Sequence, residues 1–409
     1  MTEKETGTAT RNVTGPLAGL KIVDISTVVA GPFAAGLLGD YGADIVKVEI
    51  PGAGDSLRAL APHKDGVPLW WKVTNRNKKG VTLDLRKAEG RALFGRLLIG
   101  CDVLVENFRP GTLDGWGITR DWLRAINPRL TILRVSGFGQ DGPYAGRPGF
   151  ARVFEAMSGF TQICGEEGGQ PLHLGYPISD AVAGLFGALG ILAALHDLVR
   201  HPERRGQEID CSATEAMLRT LEFLAIEYDQ LGAVRTRSGN RSQYAAPGNV
   251  YRTADDKWAS IAASTQSIFV RLCAALDLDH LLADARFATN PARVQNRDPL
   301  DEIVGAAIGQ LTLEQLRETF ARHEVGFSPI YDIADVFADP QFQAREAIVR
   351  VPDSELGSVR MQGVVPRFSE TPGSVRQAGP AMGEHNAEIY GALGLSKQEI
   401  ADLKARKII

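Results

Sequence analysis

The chain has 409 residues, a formal net charge of −4, 44% hydrophobic and 23% charged residues, which suits one large or two ordinary globular domains. So small a net charge provides no bulk field for nucleic acid or an anionic membrane, and neither is expected as a partner. The four cysteines, Cys101, Cys164, Cys211 and Cys273, form no CxxC pair and no Cys/His metal spacing; reduced core thiols, no metal and a cytoplasmic location are expected.

Residues 1–16 are polar, lack an apolar signal core and are expected to form a loose tail. Leu20–Ser26 then reads as a buried parallel strand, 30–41 as a Gly/Ala-rich helix with Pro32 at a tolerated early position, and 45–50 as a second strand. Further strands are predicted at 79–85, 102–106 and 131–136, with a helix at 89–99. Alternating strands and helices predict a mostly parallel, doubly wound sheet, whose ligands bind beyond the carboxyl ends of the strands. Residues 180–230 read as mainly helical, and 235–247, rich in Arg, Ser, Gly and Asn, as a linker. The run 251–263 and a helix at 268–277 begin a small second unit lasting to about Ile330. A last helix over 396–407 has Ser396 as its cap candidate, with Glu399 three residues on.

No GxxxxGK[ST], HExxH or GxSxG motif is present, and the first strand-to-helix turn, Ser26–Pro32, lacks GxGxxG. P-loop, zinc peptidase, Ser-elbow hydrolase and dinucleotide readings therefore have no foothold. The unusual segment is 175–195, where a single carboxylate, Asp180, opens a nearly featureless apolar helix. Ala181–Leu195 reads as too short and too Gly-rich to span a bilayer. Gly184, Gly187 and Gly190 fall three apart on one side, each costing the helix roughly 1 kcal/mol against Ala, so their use is close approach by a helix or a ligand chain. Asp180 is read either as a simple cap or as a reactive group.

Several segments in order decide between these. Leu20-Lys-Ile-Val-Asp-Ile-Ser26, Ala30-Gly-Pro32, Leu38-Gly-Asp-Tyr-Gly-Ala-Asp-Ile-Val-Lys-Val-Glu49, Gly54-Asp-Ser-Leu-Arg58, Asn77-Lys-Lys-Gly-Val-Thr-Leu-Asp-Leu85, Val105-Glu-Asn-Phe-Arg-Pro-Gly111, Ser136-Gly-Phe-Gly-Gln-Asp-Gly-Pro-Tyr144, Arg205-Gly-Gln-Glu-Ile-Asp-Cys-Ser212 and Gly379-Pro-Ala-Met-Gly-Glu-His385 resemble the class III CoA-transferases, the formyl-CoA transferase and CaiB/BaiF family, over residues 16–409. The resemblance implies an α/β fold: a large doubly wound, Rossmann-like domain plus a small α/β domain, in an interlocked homodimer. It implies a large CoA-binding domain begun by 16–225 and completed by 341–409, with linkers and the small domain at 226–340.

The resemblance also implies the chemistry. CoA passes from an acyl-CoA donor to a free carboxylic acid acceptor through a mixed anhydride and an aspartyl-CoA thioester on Asp180, with no tightly bound cofactor; the coenzyme A thioester is a substrate. Glu155 matches a carboxylate near the reacting centre. Val29, Ala30, Leu83, Leu85, Arg86, Asn107, Phe108, Arg109 and Arg152 fall on the CoA surface, Arg86 and Arg152 being suited to phosphate. His173, near Asp180 in sequence, has no evident Ser or Cys partner and reads as a surface or packing residue.

Three positions depart from formyl-CoA transferase. Ile50 and Gly115 stand where it has arginines, leaving Arg58 or Arg109 as the substitute cations. Ala263-Ser-Thr-Gln-Ser267 replaces its mobile glycine run, so that loop is expected to be stiffer and more polar, pointing away from formate and oxalate toward a larger acid such as a dicarboxylate. The alternatives are a 2-methylacyl-CoA racemase-type isomerase and a non-catalytic CoA-binding protein. Phe150 stands where the racemase pattern puts its histidine base, and phenylalanine takes no proton.

Overall fold

The computed structural model describes residues 15–409; the expected loose tail lies, in its first fourteen residues, outside them. The chain divides into two units. The first gathers the described residues up to Phe160, Leu174–Ala225 and Gln343–Ile409; the second gathers Thr161–His173 and Ile226–Phe342. The domain boundaries expected from the sequence put residues 161–173 in the first unit. They group instead with the second, where Gly239 N–H donates to Gly165 O at 2.9 Å and Arg237 Nη1 to Gln162 O at 3.0 Å.

The first unit is built on six strands: β1 (Lys21–Asp24), β2 (Asp44–Glu49), β3 (Lys78–Thr82), β4 (Val103–Glu106), β5 (Thr131–Ser136) and β6 (Glu208–Ser212). They lie in the order β3-β2-β1-β4-β5-β6 and every pair is parallel. The order reverses between β1 and β4, which is where a doubly wound sheet opens a crevice for ligands. Five of these strands stand at or near their predicted positions. β6 falls inside the stretch read as helical; it is an edge strand whose charged Glu208 and Asp210 alternate with Ile209 and Cys211, a pattern that hides it among polar residues. Apolar side chains from both faces of the sheet, among them Val23, Ile25, Leu104 and Ile132 on one and Ile22, Val103, Val105 and Leu133 on the other, make two core layers.

Helix α1 (Ala30–Asp40) follows β1, α2 (Ala88–Leu98) follows β3, and α3 (Ala151–Met157) precedes α4 (Ile178–Arg200). Helix α4 corrects one expectation: at 23 residues it is long and apolar enough, by length and composition, to cross a membrane. Core packing accounts for its small residues. A Cβ at Gly184 would lie 2.8 Å from Phe33 Cδ1 and 2.9 Å from Ala30 O, one at Gly187 2.8 Å from Leu133 Cδ2, and one at Gly190 3.0 Å from Ile209 Cγ2. The three glycines thus seat α4 on α1, β5 and β6 in turn, which settles the close approach as protein against protein.

The second unit holds a three-stranded sheet of β7 (Gly248–Arg252), β8 (Trp258–Ala262) and β9 (Phe327–Pro329), all antiparallel, covered by α5 (Gln266–Ala275) and other helices around Phe269, Phe287, Leu300 and Phe320. Residues 235–247 carry no helix or strand, as expected of a linker. They are tied to this unit by Arg235 to Glu227 and by Arg241 to Asp298 at 2.8 Å. Back in the first unit, α6 (Lys397–Ala405) starts with the capping box expected from Ser396 and Glu399.

Candidate active site

At the crevice between β1 and β4, the turn after β1 (Thr27, Val28, Val29, Ala30), the loop after β4 (Asn107, Phe108, Arg109, Pro110), the end of β5 (Val135, Ser136, Gly137), and Arg147 and Phe150 wall one cavity, and Asp180 opens into it. The sequence turns sharply at each strand end here: Asn107 is locked to the β1 turn, accepting from Thr27 N–H at 2.7 Å and donating to Thr27 O at 2.7 Å.

Asp180 sits in the first turn of α4, two residues inside the helix. The N-cap is Pro177, with no side-chain cap bond, so Asp180 does not serve as the cap. Among the described residues no hydrogen bond or ion pair to its carboxylate is formed. Burial pushes this carboxyl up to about 6, and the charge of Glu155 adds to the shift. Glu155, on α3, is buried, and its Oε1 accepts from Ser179 N–H at 3.5 Å. Ser179 Oγ in turn donates to Ala151 O at 3.1 Å, stitching the start of α4 to the start of α3. The phenol of Tyr176 is pushed up by its own burial and by the Asp180 charge.

A second cavity runs over the tips of β1, β2 and β3, lined by Ile25, Thr27, Ile50, Asp55, Leu83, Leu85, Arg86, Phe108 and Trp116 among others. The two cavities share Thr27 and Phe108.

The structure therefore brings Val29, Ala30, Asn107, Phe108 and Arg109 together with Asp180, and Leu83, Leu85, Arg86 and Phe108 along the neighbouring cavity. Arg152 is exposed on α3 and lines neither. Arg86 grips its own neighbour, with Nε and Nη2 donating to Asp84 at 2.8 and 2.9 Å. Arg58 is not available as a substitute cation: it is bidentate to Glu49 at 2.7 and 2.8 Å and lies over the Trp71 ring. Arg109 remains, and Arg147, which sequence reasoning does not single out, joins it in the Asp180 cavity, stacked 3.7 Å from the Tyr144 ring centroid. Its signal in the sequence is only a basic residue in a Gly/Pro loop. Phe150 also lines the cavity. His173 belongs to the second unit, with Nδ1 3.5 Å from Thr161 Oγ1. In that unit Thr265 caps α5, accepting from Ile268 N–H at 3.3 Å, and Ala263 N–H donates to Pro247 O at 2.9 Å, so the stretch replacing a glycine run is anchored at both ends. Among the described residues no three His, Cys, Asp or Glu side chains gather as metal ligands would.

Residues 17–386 match the family model described as CoA-transferase family III. The chain is 42% identical over 396 residues to the succinyl-CoA–D-citramalate CoA-transferase of Chloroflexus aurantiacus, covering 96% of this chain and 98% of that protein. It is 35% identical over 386 residues to the succinate–glutarate CoA-transferase of Agrobacterium fabrum, covering 92% and 96%. In three dimensions it resembles the crystal structure of a CaiB/BaiF family protein from Brucella suis, with a TM-score of 0.83, 35% identity and coverage of 93% and 100%.

Proposed function

The chain belongs to CoA-transferase family III, and from that premise we propose that Asp180 carries the transfer covalently between a succinyl-CoA-type donor and a dicarboxylic acid acceptor. The observation that carries the reading is the Asp180 carboxylate: without a donor partner among the described residues, raised by burial, and open to the cavity at the reversal of the sheet.

The steps balance without ATP or a redox partner. The Asp180 carboxylate attacks the thioester carbonyl; a C–O bond forms, the C–S bond breaks, and a mixed anhydride and CoA thiolate result. The thiolate attacks the aspartyl carbonyl and releases the donor's acid, leaving an aspartyl-CoA thioester. The acceptor carboxylate attacks that thioester and expels the thiolate, which then takes the acceptor's acyl group and frees Asp180. Each intermediate stays activated, so the energy of the thioester is retained. A raised carboxyl pKa suits a nucleophile, because Asp180 remains mainly ionised at pH 7 yet attacks more strongly than a solvated aspartate. Glu155 holds the start of α4 and sets the charge beside the nucleophile. The CoA arm would lie over Val29, Ala30, Asn107 and Phe108 and continue toward Leu83, Leu85 and Arg86, with Arg109 as the nearest cation for its phosphates; no cofactor is tightly held.

The acceptor class rests on the relatives, whose names carry succinate, glutarate and citramalate, and on the Arg147 guanidinium, which shares the Asp180 cavity and suits a second carboxylate. A homodimer with interlocked chains completes the reading; the exposed apolar face of α4, Leu185, Leu189 and Leu192, supports it. Turnover of succinyl-CoA against dicarboxylic acids of two to six carbons, with acetate and formate as monocarboxylic acceptors, tests the reading: preference for the four- to six-carbon dicarboxylates supports it, and equal use of the monocarboxylates, or preference for oxalate, removes the assignment.

A further inference from the structure

Val28, in the turn after β1, has a φ of +65°. A β-branched residue in the left-handed region is strained, and such a conformer persists only where its surroundings over-determine it. Here they do. Val28 N–H donates to Asp55 Oδ1 at 3.0 Å, and Thr27 N–H and C=O both bond Asn107. Ser26 O accepts from Lys47 Nζ, and Ser26 N–H donates to Asp24 Oδ1 at 3.0 Å. The holders are themselves held. Lys47 and Asp24 are fully buried; Lys47 lies 3.3 Å from Asp55 and 3.7 Å from Asp24, and Lys78 Nζ reaches Asp24 at 2.8 Å and Pro32 O in α1 at 2.7 Å. Asp55 N–H is fixed on Glu49 at 2.9 Å, and Asp55 Oδ1 also takes Leu57 N–H at 2.9 Å. Two lysines and two aspartates thus form a charge-balanced buried chain beneath one turn, an arrangement with a high desolvation cost whose natural use is to specify a geometry.

That geometry faces the reaction. The far side of the turn, Thr27–Ala30, walls the Asp180 cavity, while Ala30 O packs on Gly184, one turn along α4 from Asp180. The turn therefore sets the spacing between the opening of α1 and the residue that attacks. We infer that Asp55, acting with Lys47, is a positioning residue for the transfer: it holds Ser26–Ala30 in its strained conformer so that the thioester carbonyl and Asp180 meet at attacking distance. The inference rests on the reading of Asp180 as nucleophile. A displacement of about 1 Å at such a contact costs on the order of 100-fold in rate.

The test follows formation of the Asp180-CoA adduct by intact mass after rapid mixing of the full-length protein with succinyl-CoA and no acceptor. Asp55→Ala, which removes the contacts to Val28 N–H, Leu57 N–H and Lys47, is expected to reach the same adduct stoichiometry per folded chain with a saturating rate at least tenfold lower and a half-saturating donor concentration within threefold of the original. Asp55→Asn, which keeps an acceptor for Val28 N–H and loses the charge facing Lys47, is expected to fall between, at least threefold slower; if Asp55→Ala does not fold, this variant decides alone. An unchanged saturating rate per folded chain overturns the inference, as does a change confined to the donor concentration, which would make Asp55 a CoA contact. Absence of the adduct in the unsubstituted protein overturns the Asp180 reading instead, and the two failures are thereby told apart.

Discussion

Glu155 and Asp180 lie on different helices, yet the Glu155 carboxylate accepts from the backbone N–H immediately before Asp180, at Ser179. Two acidic side chains are thus packed at one helix start, one buried and one open to a cavity. Burial first, and the Glu155 charge second, drive the Asp180 carboxyl up to about 6. On the covalent reading the pairing separates roles: Glu155 sets the field and Asp180 reacts in it.

The pH dependence follows. If Asp180 is the nucleophile, its attacking form is the carboxylate, and kcat/KM for the donor should fall as pH drops through about 6. Glu155→Gln removes the like charge and should move that limb to lower pH. For stability the sign is opposite. A folded pKa above the unfolded 3.8 means that the contribution is complete below 3.8 and is lost as pH rises through about 6, on the order of 3 kcal/mol. Asp180→Asn should accordingly be more stable than the unsubstituted chain at pH 7 and no more stable at pH 3.5. Urea melts at both pH values check this, and an acid limb that ignores Glu155→Gln would count against the pairing.

Replacing Asp180 by Ala should leave the fold intact, since no hydrogen bond to its carboxylate is lost, and should lower transfer by several orders of magnitude. Asp180→Asn should start inactive and recover slowly where deamidation restores the acid. Residual transfer above a few per cent in Asp180→Ala, measured with succinyl-CoA and a dicarboxylic acceptor, would point to a direct ternary reaction. Hydroxylamine or borohydride added after donor alone should mark Asp180.

At Gly184 α4 packs directly against α1, where an added Cβ would lie 2.8 Å from Phe33 Cδ1 and 2.9 Å from Ala30 O. A valine there must displace Ala30 O or Phe33, and overpacking of this kind costs roughly 1–3 kcal/mol. Because Ala30 also walls the Asp180 cavity, Gly184→Val should lower the donor-dependent rate along with Tm. Gly391→Ala, in the helix Asn386–Ala392 with open space around the new methyl, should match or slightly exceed the original stability. Calorimetry on both separates the packing role from the general cost of changing a helical glycine.

Much of this is legible in the sequence because it is written locally. The Ile/Val runs of β1, β2, β4 and β5 mark buried parallel strands, while a lone acid opening an apolar run leaves Asp180 open as cap or reactive group. What escapes depends on distant pairing. Arg58 reads as a free cation because Glu49, nine residues earlier, gives no sign of taking it. The Asp55–Val28 and Lys47–Ser26 bonds span 27 and 21 residues and exist only once β1 and β2 lie side by side. Residues 161–173 have no composition that marks them as belonging with 226–342; their backbone pairing to the 235–247 segment decides it.

Assembly can be tested from the outer face of α4. Leu185, Leu189 and Leu192 recur there at i, i+4 and i+7 and are 54%, 61% and 40% exposed, while the inner face is fully packed. On α3, Val153 and Met157 add to the exposed apolar surface of the same unit. Patches of this kind on an isolated chain mark a surface that another chain covers, and a second copy is the occupant that the interlocked reading supplies. The segment 235–247 has no helix or strand of its own. If two chains thread each other, folding and association become one process, the interface exceeds the standard size class, and stability depends on chain concentration. Sizing should give twice the chain mass even at nanomolar concentration. Differently tagged dimers mixed under native conditions should yield no hybrids over hours, and hybrids should form only after unfolding and refolding together. Leu189→Glu, which places a charge in that contact, should reduce the yield of folded protein rather than release an active monomer. Rapid exchange of subunits, or a stable active monomer, would remove the interlocking and leave the Asp180 chemistry in place.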